Sequence, residues 1–394
     1  MTMSGAPANP LTLMLVCGEP SGDRLGAQLM AALKAIAGDT VKIVGVGGEA
    51  MAAQGLQSLF PLDATAVMGL REVVPRIPTI LARVRQAADF AVETRPDAVV
   101  LIDSPDFTHR IARRLKRIAP RIATINYVAP QVWASRAYRA RAMADYFDLV
   151  LALLPFEAPF FEGYGLRAVF VGHPAIERAE RMTGGDGFRA RHGIAPDAPL
   201  LAVLPGSRTN EIRFIFPAFR EAVGLLAKRV PGLVSVLPTV SHVAARVREG
   251  AADWPVPLHI VEGEDEKFAA FDAADAALAA SGTVTTELAL ARTPMVVAYR
   301  ASWLTAAVFK AMVRVKFATI ANLLLDREAI PEFLQERATP QTLADAVFPL
   351  LTDKAAAARQ VTDLEEAMRR LGQGGEQPSL RAARAILDFM QPAG

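Results

Sequence analysis

Apolar runs of roughly five residues recur along this chain, each giving way to a polar or glycine-bearing turn and then to residues at helical spacing. Leu11 to Val16 is the first such run, and Leu25, Leu29, Leu33 and Ile36 follow at the interval that predicts a helix after Ser21. Val41 to Val46, Ala98 to Ile102 and Ala123 to Tyr127 repeat the pattern, with helical periodicity between them. Short apolar runs alternating with helices predict an α/β fold built on a parallel, doubly wound sheet.

Around residues 172 to 198 the alternation lapses, and Gly172, Pro174, Gly184, Gly185, Gly187, Gly193, Pro196 and Pro199 accumulate. That density of turn formers predicts a domain boundary. Strand-like runs resume at Leu200 to Leu204, Leu233 to Leu237, His259 to Val261, Ala276 to Ala280 and Met295 to Ala298, and from Ala355 onward the pattern is helical. The expected division is one Rossmann-like domain over 1–172, a second over 173–354, and a helical tail over 355–394 packing back on the first domain or on a partner subunit.

Composition narrows this picture. The chain has 394 residues, 52% hydrophobic and 21% charged, which suits two folded domains of roughly 150 to 200 residues and excludes a disordered chain. A formal net charge of +2 gives no global case for nucleic acid as a partner. Cys17 is the single cysteine, so no intramolecular disulfide forms and no cysteine metal cluster exists. Leu11 to Val16 before Cys17 has no preceding lysine or arginine and reads as a first strand, not a lipoprotein signal. No apolar stretch approaches the ~18 residues of a membrane span.

The candidate chemistry lies in the turns where strands end, because ligands of open parallel sheets bind outside the carboxyl ends of the strands and helix N-termini offer free N–H groups to phosphate. Asp103 directly follows the run Val99 to Ile102 and is either a general base or, like Asp106, a helix cap. Glu19, Ser21, Gly22 and Asp23 form a glycine-bearing turn that lacks the Walker A ending. In the second half, Gly206, Ser207 and Arg208 precede a helix, and Arg208 either pairs with a diphosphate or bridges to Glu211. Ser281, Gly282 and Thr283 open another helix, with Glu287 one turn inside it, placed for sugar hydroxyls or for simple capping and dipole roles. Gly45, Gly47 and Ala50 match a dinucleotide fingerprint, but Ala64 to Val67 supply no acidic partner, so this is read as a turn.

Two stretches combine apolar and basic residues. Leu70, Val73, Val74, Ile77, Ile80, Leu81 and Val84 share a helical face among arginines and are interrupted by Pro75 and Pro78, and Trp303 to Phe317, including Phe309, has a similar character. Such faces bind acyl chains or an anionic membrane surface, or else pack as ordinary helices. The basic run from Arg110 to Arg121, with Arg136, Arg139 and Arg141, either attracts an anion or is a solvated face.

Taken in order, the turn Gly18 to Asp23, Val67-Met68-Gly69, Ile102 to Phe107, Tyr127 to Ala134, Leu154 to Glu157, Gly172-His173-Pro174, Leu204 to Arg208, Ala280 to Glu287, Pro294 to Tyr299 and Asn322-Leu323-Leu324 resemble the lipid-A-disaccharide synthases. Pro20 and Ala321 depart from that pattern. The resemblance implies two Rossmann-like domains facing a cleft, a GT-B-type architecture, with the first domain binding the lipid acceptor and the second the UDP-sugar. It implies an inverting glycosyltransferase that joins UDP-2,3-diacylglucosamine to 2,3-diacylglucosamine 1-phosphate as a β-1,6 disaccharide, releasing UDP without a cofactor. By position, Asp103 is then the base, Arg208 and the helix near Thr283 hold the diphosphate, Glu287 faces the ribose, Asn322 belongs to the donor site and Trp133 lies in the acceptor cleft. The absence of any Asp-x-Asp triplet agrees with leaving-group stabilisation by arginine and helix dipole. The implied location is cytoplasmic, peripheral on the inner face of the inner membrane, and a homodimer is left open. The competing readings are a UDP-sugar 2-epimerase, a nicotinamide dehydrogenase using the Gly45 to Ala50 turn, and a non-enzymatic sugar-binding protein.

Overall fold

The computed structural model describes residues 10–62, 70–135, 137–302 and 315–391, without the side chains of residues 70–76 and 210. The chain divides into two compact units, one running to Pro174 and joined by the residues from Gly375 onward, the other Ala175–Gly374.

The first unit contains a six-stranded parallel sheet of β1 (Leu11–Cys17), β2 (Val41–Val46), β3 (Ala98–Ile102), β4 (Ala123–Tyr127), β5 (Leu149–Ala152) and β6 (Ala168–Phe170), in the order β2-β1-β3-β4-β5-β6. Helices cover both faces, which is why its strands read as unbroken apolar runs. β1 sends Leu13, Leu15 and Cys17 into one core and Met14 and Val16 into the other. The helix Pro378–Met390 returns to this unit and packs on the first helix, Pro20–Ala37. Ala382, Ala383 and Ile386 enter the same core as Leu25 and Leu29.

The second unit repeats the architecture with β7 (Leu200–Leu204), β8 (Val234–Thr239), β9 (Leu258–Glu262), β10 (Ala276–Ala280), β11 (Met295–Tyr299) and β12 (Glu332–Leu334), ordered β12-β11-β10-β7-β8-β9 and parallel throughout. Its core joins Leu201, Val203 and Leu278 of the sheet to Phe216, Phe219 and Val223 of the helix Thr209–Ala227.

In each sheet the strand order reverses once, between β1 and β3 in the first and between β7 and β10 in the second. The crossovers diverge at these points and leave a crevice at the carboxyl edge. Cys17 pairs in register with Ile102, and Leu204 with Ala279. The turns that follow these strands therefore flank the two switch points.

The helix expected beyond residue 70 runs as Leu70–Thr94 and is not interrupted at Pro75 or Pro78. Among the described residues no helix is long and apolar enough to cross a membrane.

Candidate active site

At the first switch point, the chain leaves β3 through two consecutive residues with left-handed backbones, Asp103 at φ 54° and Ser104 at φ 45°. Positive φ is costly for residues with a Cβ, least so for Asp and Asn, and pairs of such residues persist only where surrounding bonds hold them. Here the Asp103 N–H donates to the Tyr127 carbonyl at 2.9 Å, tying the turn to the end of β4. The Thr108 hydroxyl donates to the Asp103 carbonyl at 2.6 Å from inside the following helix, Pro105–Ile118. That helix starts at Pro105 with Ser104 at its N-cap, so neither Asp103 nor Asp106 is the cap, and Asp106 is exposed in the first turn.

The glycine-bearing turn after β1 lies against this strained corner. A Cβ on Gly18 would stand 2.8 Å from the Ser104 Cβ, and one on Gly22 would stand 3.2 Å from the Ile102 carbonyl oxygen. At Gly18 a side chain would clash outright, and at Gly22 it would crowd its neighbours. The Ser21 hydroxyl donates to Asp103 Oδ2 at 3.1 Å, fixing one oxygen of this half-buried carboxylate. Burial, and then the neighbouring Asp103 carboxylate, push the Glu19 carboxyl above its ordinary range; the Ser104 hydroxyl works the other way, and Asp106 raises it further. Glu19, Ser21 and Asp103 are thus brought together.

Asp23 belongs to a different set of contacts. It is buried, and its carboxylate accepts the N–H groups of Gly48, Ala50 and Met51 at 2.7, 2.9 and 3.1 Å, capping the short helix Glu49–Ala53. The N–H groups that a dinucleotide pyrophosphate would need at the Gly45 to Ala50 turn are therefore taken by an internal carboxylate. Cys17 is also enclosed, its thiol pushed up to about 12 chiefly by burial and then by Asp23, so it is an inert core residue.

Trp133 follows β4 and is held on two sides. Its indole N–H donates to Glu157 Oε1 at 2.9 Å, and its ring meets Phe156 edge-on with centroids 4.9 Å apart. Glu157 Oε2 accepts the N–H groups of Leu153 and Leu154 at 3.0 and 2.9 Å. Glu157 lies in the Leu154 to Glu157 motif, but nothing in that motif marks it as the partner of Trp133.

At the second switch point, Gly206 adopts φ 103° and brings the chain to the helix Thr209–Ala227. Arg208 is exposed, with its guanidinium bound to Glu211 Oε1 at 2.6 Å. Glu211 Oε2 accepts the N–H groups of Ser207 and Arg208 at 3.1 and 3.2 Å. Across the switch point, Ser281 is half-buried, while Gly282 and Thr283 are exposed at the start of the helix Thr283–Leu290. Glu287 is buried one turn inside, bound to Arg178 at 3.1 Å and Lys267 at 2.9 Å.

Asn322 lies apart from these turns in its bonding. Its amide donates to the Ile330 carbonyl and to Glu332 Oε1, both at 2.8 Å, while its oxygen accepts the N–H groups of Ala329 and Ile330, both at 2.8 Å. All four hydrogen-bonding positions are filled within the protein, and it anchors the loop before β12.

A family model described as lipid-A-disaccharide synthetase matches residues 13–387, spanning both switch points. The chain belongs to the lipid-A-disaccharide synthase family. Two relatives carrying that name are those of Rhodospirillum centenum, 49% identical over 97% of this chain and 95% of the relative, and Paramagnetospirillum magneticum, 48% identical over 97% and 98%. Solved structures share the fold at far lower identity. The UDP co-structure of S. aureus MnaA superposes with a TM-score of 0.65 at 15% identity, covering 96% of this chain and 97% of that one. A glycosyltransferase from Rickettsia africae gives 0.60 at 12%, covering 98% and 100%. Because glycosyltransferases and 2-epimerases share this GT-B architecture, membership of the synthase family decides between them where the fold does not.

Of the apolar faces expected to meet lipid, the family member exposes Ile77 and Leu81 on the helix Leu70–Thr94 and turns Val84 into the core. The side chains of Leu70 and Val73, and the whole of Trp303 and Phe309, lie outside the described residues. In the basic run, Arg114 pairs with Asp89, Lys116 pairs with Asp148 and Arg113 donates to the Tyr146 hydroxyl, which is the behaviour of a solvated, partnered face.

Proposed function

We propose that this chain transfers 2,3-diacylglucosamine from its UDP carrier to the 6-hydroxyl of 2,3-diacylglucosamine 1-phosphate. The observation that carries the assignment of the base is the half-buried Asp103 carboxylate at a switch point, held by a left-handed backbone and by the Ser21 hydroxyl on one of its oxygens. In a single displacement the acceptor oxygen bonds to the donor's anomeric carbon as the bond from that carbon to the diphosphate breaks, inverting the centre. Asp103 takes the proton from the attacking hydroxyl, a role worth roughly 10²- to 10⁴-fold in rate.

Negative charge grows on the departing diphosphate as the bond breaks, so donors fixed in its path lower the barrier. Gly206, Ser207 and Arg208 with the helix behind them, and Ser281 to Thr283 with theirs, supply backbone N–H groups, hydroxyls, a guanidinium and two helix dipoles. Glu287 then accepts from the ribose hydroxyls, and Glu19, Ser21 and Trp133 border the acceptor. Both substrates carry acyl chains, and the exposed Ile77 and Leu81 suit contact with an anionic membrane surface from which such lipids are drawn.

The test is UDP release from UDP-2,3-diacylglucosamine in detergent micelles, with and without the 1-phosphate acceptor, for the wild type and Asp103→Asn. Asparagine tolerates the left-handed backbone, so the variant isolates the charge from the strain. Acceptor-dependent release that falls by at least a hundredfold in a folded variant is the expected result. Release without acceptor dependence sinks the transfer, and full activity in the variant removes Asp103 from it.

A further inference from the structure

Glu287 is the most enclosed carboxylate at the second switch point, with only 6% of its side chain exposed, and each of its oxygens meets a different cation. Oε1 lies 3.1 Å from Arg178 Nη1, and Oε2 lies 2.9 Å from Lys267 Nζ. Arg178 comes from the 3₁₀ segment Pro174–Arg181 and also reaches Glu264 Oε1 at 3.3 Å. Lys267 comes from the helix Glu264–Ala273, with its ammonium group 4.6 Å from the centre of the Phe268 ring. Each cation is therefore anchored by a second contact besides the carboxylate.

We propose that Arg178 and Lys267 are positioning residues for nucleotide recognition, holding the Glu287 carboxylate in the one orientation that accepts both hydroxyls of a ribose. A buried carboxylate needs paired charges to stay ionised at little cost. It offers about four lone-pair sites. One cation at each oxygen uses two of them, fixes the rotamer from both ends and leaves an acceptor site on each oxygen for one of two adjacent hydroxyl donors. Bonds to an ionised acceptor are the strong ones, and an acceptor fixed in advance loses less entropy on binding. The ligand class is a ribonucleoside diphosphate with a free vicinal diol.

The inference rests on the donor-site reading above, and one titration separates the two. UDP and 2′,3′-dideoxy-UDP are titrated into the wild type, Arg178→Gln, Lys267→Met and Lys267→Arg by calorimetry. The wild type is expected to prefer UDP by about a hundredfold or more, the worth of two hydrogen bonds to a charged acceptor. Arg178→Gln and Lys267→Met are expected to reduce that preference to about threefold or less, mainly by losing UDP affinity, and Lys267→Arg to restore most of it. A merely structural pair would weaken both ligands equally, so an unchanged preference in folded variants overturns the proposal. Equal wild-type affinity for the two ligands also overturns it, whereas failure of the wild type to bind UDP at all removes the donor-site reading itself.

Discussion

Arg208 and Glu211 close on each other at 2.6 Å, and the second oxygen of the same carboxylate accepts the N–H groups of Ser207 and Arg208. These are the groups assigned to the departing diphosphate. An internal anion therefore sits on the guanidinium and N–H donors, and a diphosphate bound as proposed would have to displace it.

Glu211→Gln should accordingly tighten UDP binding. A neutral amide competes for these donors with about 1 kcal/mol less than a carboxylate, which corresponds to roughly a fivefold lower Kd. The same change should cost about 1 kcal/mol of stability through the weakened helix start. Calorimetry and urea unfolding measure the two effects separately. Weaker UDP binding in a folded variant would show that Glu211 organises the loop instead of competing for it.

Asp23→Ala should be mainly a stability variant. It strips the acceptor from the N–H groups of Gly48, Ala50 and Met51 in a buried setting, at a cost of about 3 kcal/mol. Turnover per folded molecule should stay within a few fold of wild type, far above Asp103→Asn. Urea midpoints alongside UDP-release rates decide this, and a rate as low as that of Asp103→Asn would return Asp23 to the reacting site.

His109 supplies an acid-sensitive element. Burial, with help from Arg113 and Arg139, lowers its pKa to about 4, and its Nδ1 lies 3.1 Å from the Tyr146 hydroxyl. The folded protein thus holds the proton less readily than the unfolded chain does. Its contribution is fully present above the ordinary value near 6.5 and is lost as pH falls through about 4, on the order of 3 kcal/mol in total. His109→Gln should therefore lose less stability than wild type between pH 7 and pH 4 in urea titrations. Parallel curves for the two proteins would remove the histidine from acid unfolding.

Much of the fold was legible because its central strands, such as β3, β7 and β10, are buried on both faces. Val41 to Val46, Ala98 to Ile102, Ala123 to Tyr127, Leu200 to Leu204 and Ala276 to Ala280 were located from apolar runs and turn signals alone. β5, β6 and β12 were missed. β6 and β12 have only three residues each, and β12 includes the buried Glu332, which accepts the Thr319 hydroxyl and the Asn322 amide. The candidate site was legible wherever a strand ends in a motif, as at Asp103 and Arg208. What residues do to one another across the fold was not. Asp23 reads in sequence as part of an open turn, yet the Gly48 turn folds over it, and nothing near Arg178 or Lys267 in the sequence marks them as partners of Glu287.

Glu157 offers the last test, because its two oxygens do different jobs. Oε1 receives the Trp133 indole N–H, and Oε2 receives the backbone N–H groups of Leu153 and Leu154. Burial raises its pKa, while the Trp133, Leu154 and Leu153 bonds oppose that rise. Glutamine has the same shape but only one acceptor oxygen. Directed at the two backbone groups, it sets its NH₂ against the indole N–H, and Trp133 loses its anchor. If Trp133 borders the acceptor as proposed, Glu157→Gln should raise KM for the 1-phosphate acceptor by about threefold to tenfold, the worth of one lost hydrogen bond, and leave kcat nearly unchanged. Loss of Glu157 acting through Trp133 alone would add nothing in a Trp133→Phe background, so the double variant should match Trp133→Phe. Additive effects in that cycle would mean that Glu157 supports the site by another route, through the loop at Leu153 and Leu154.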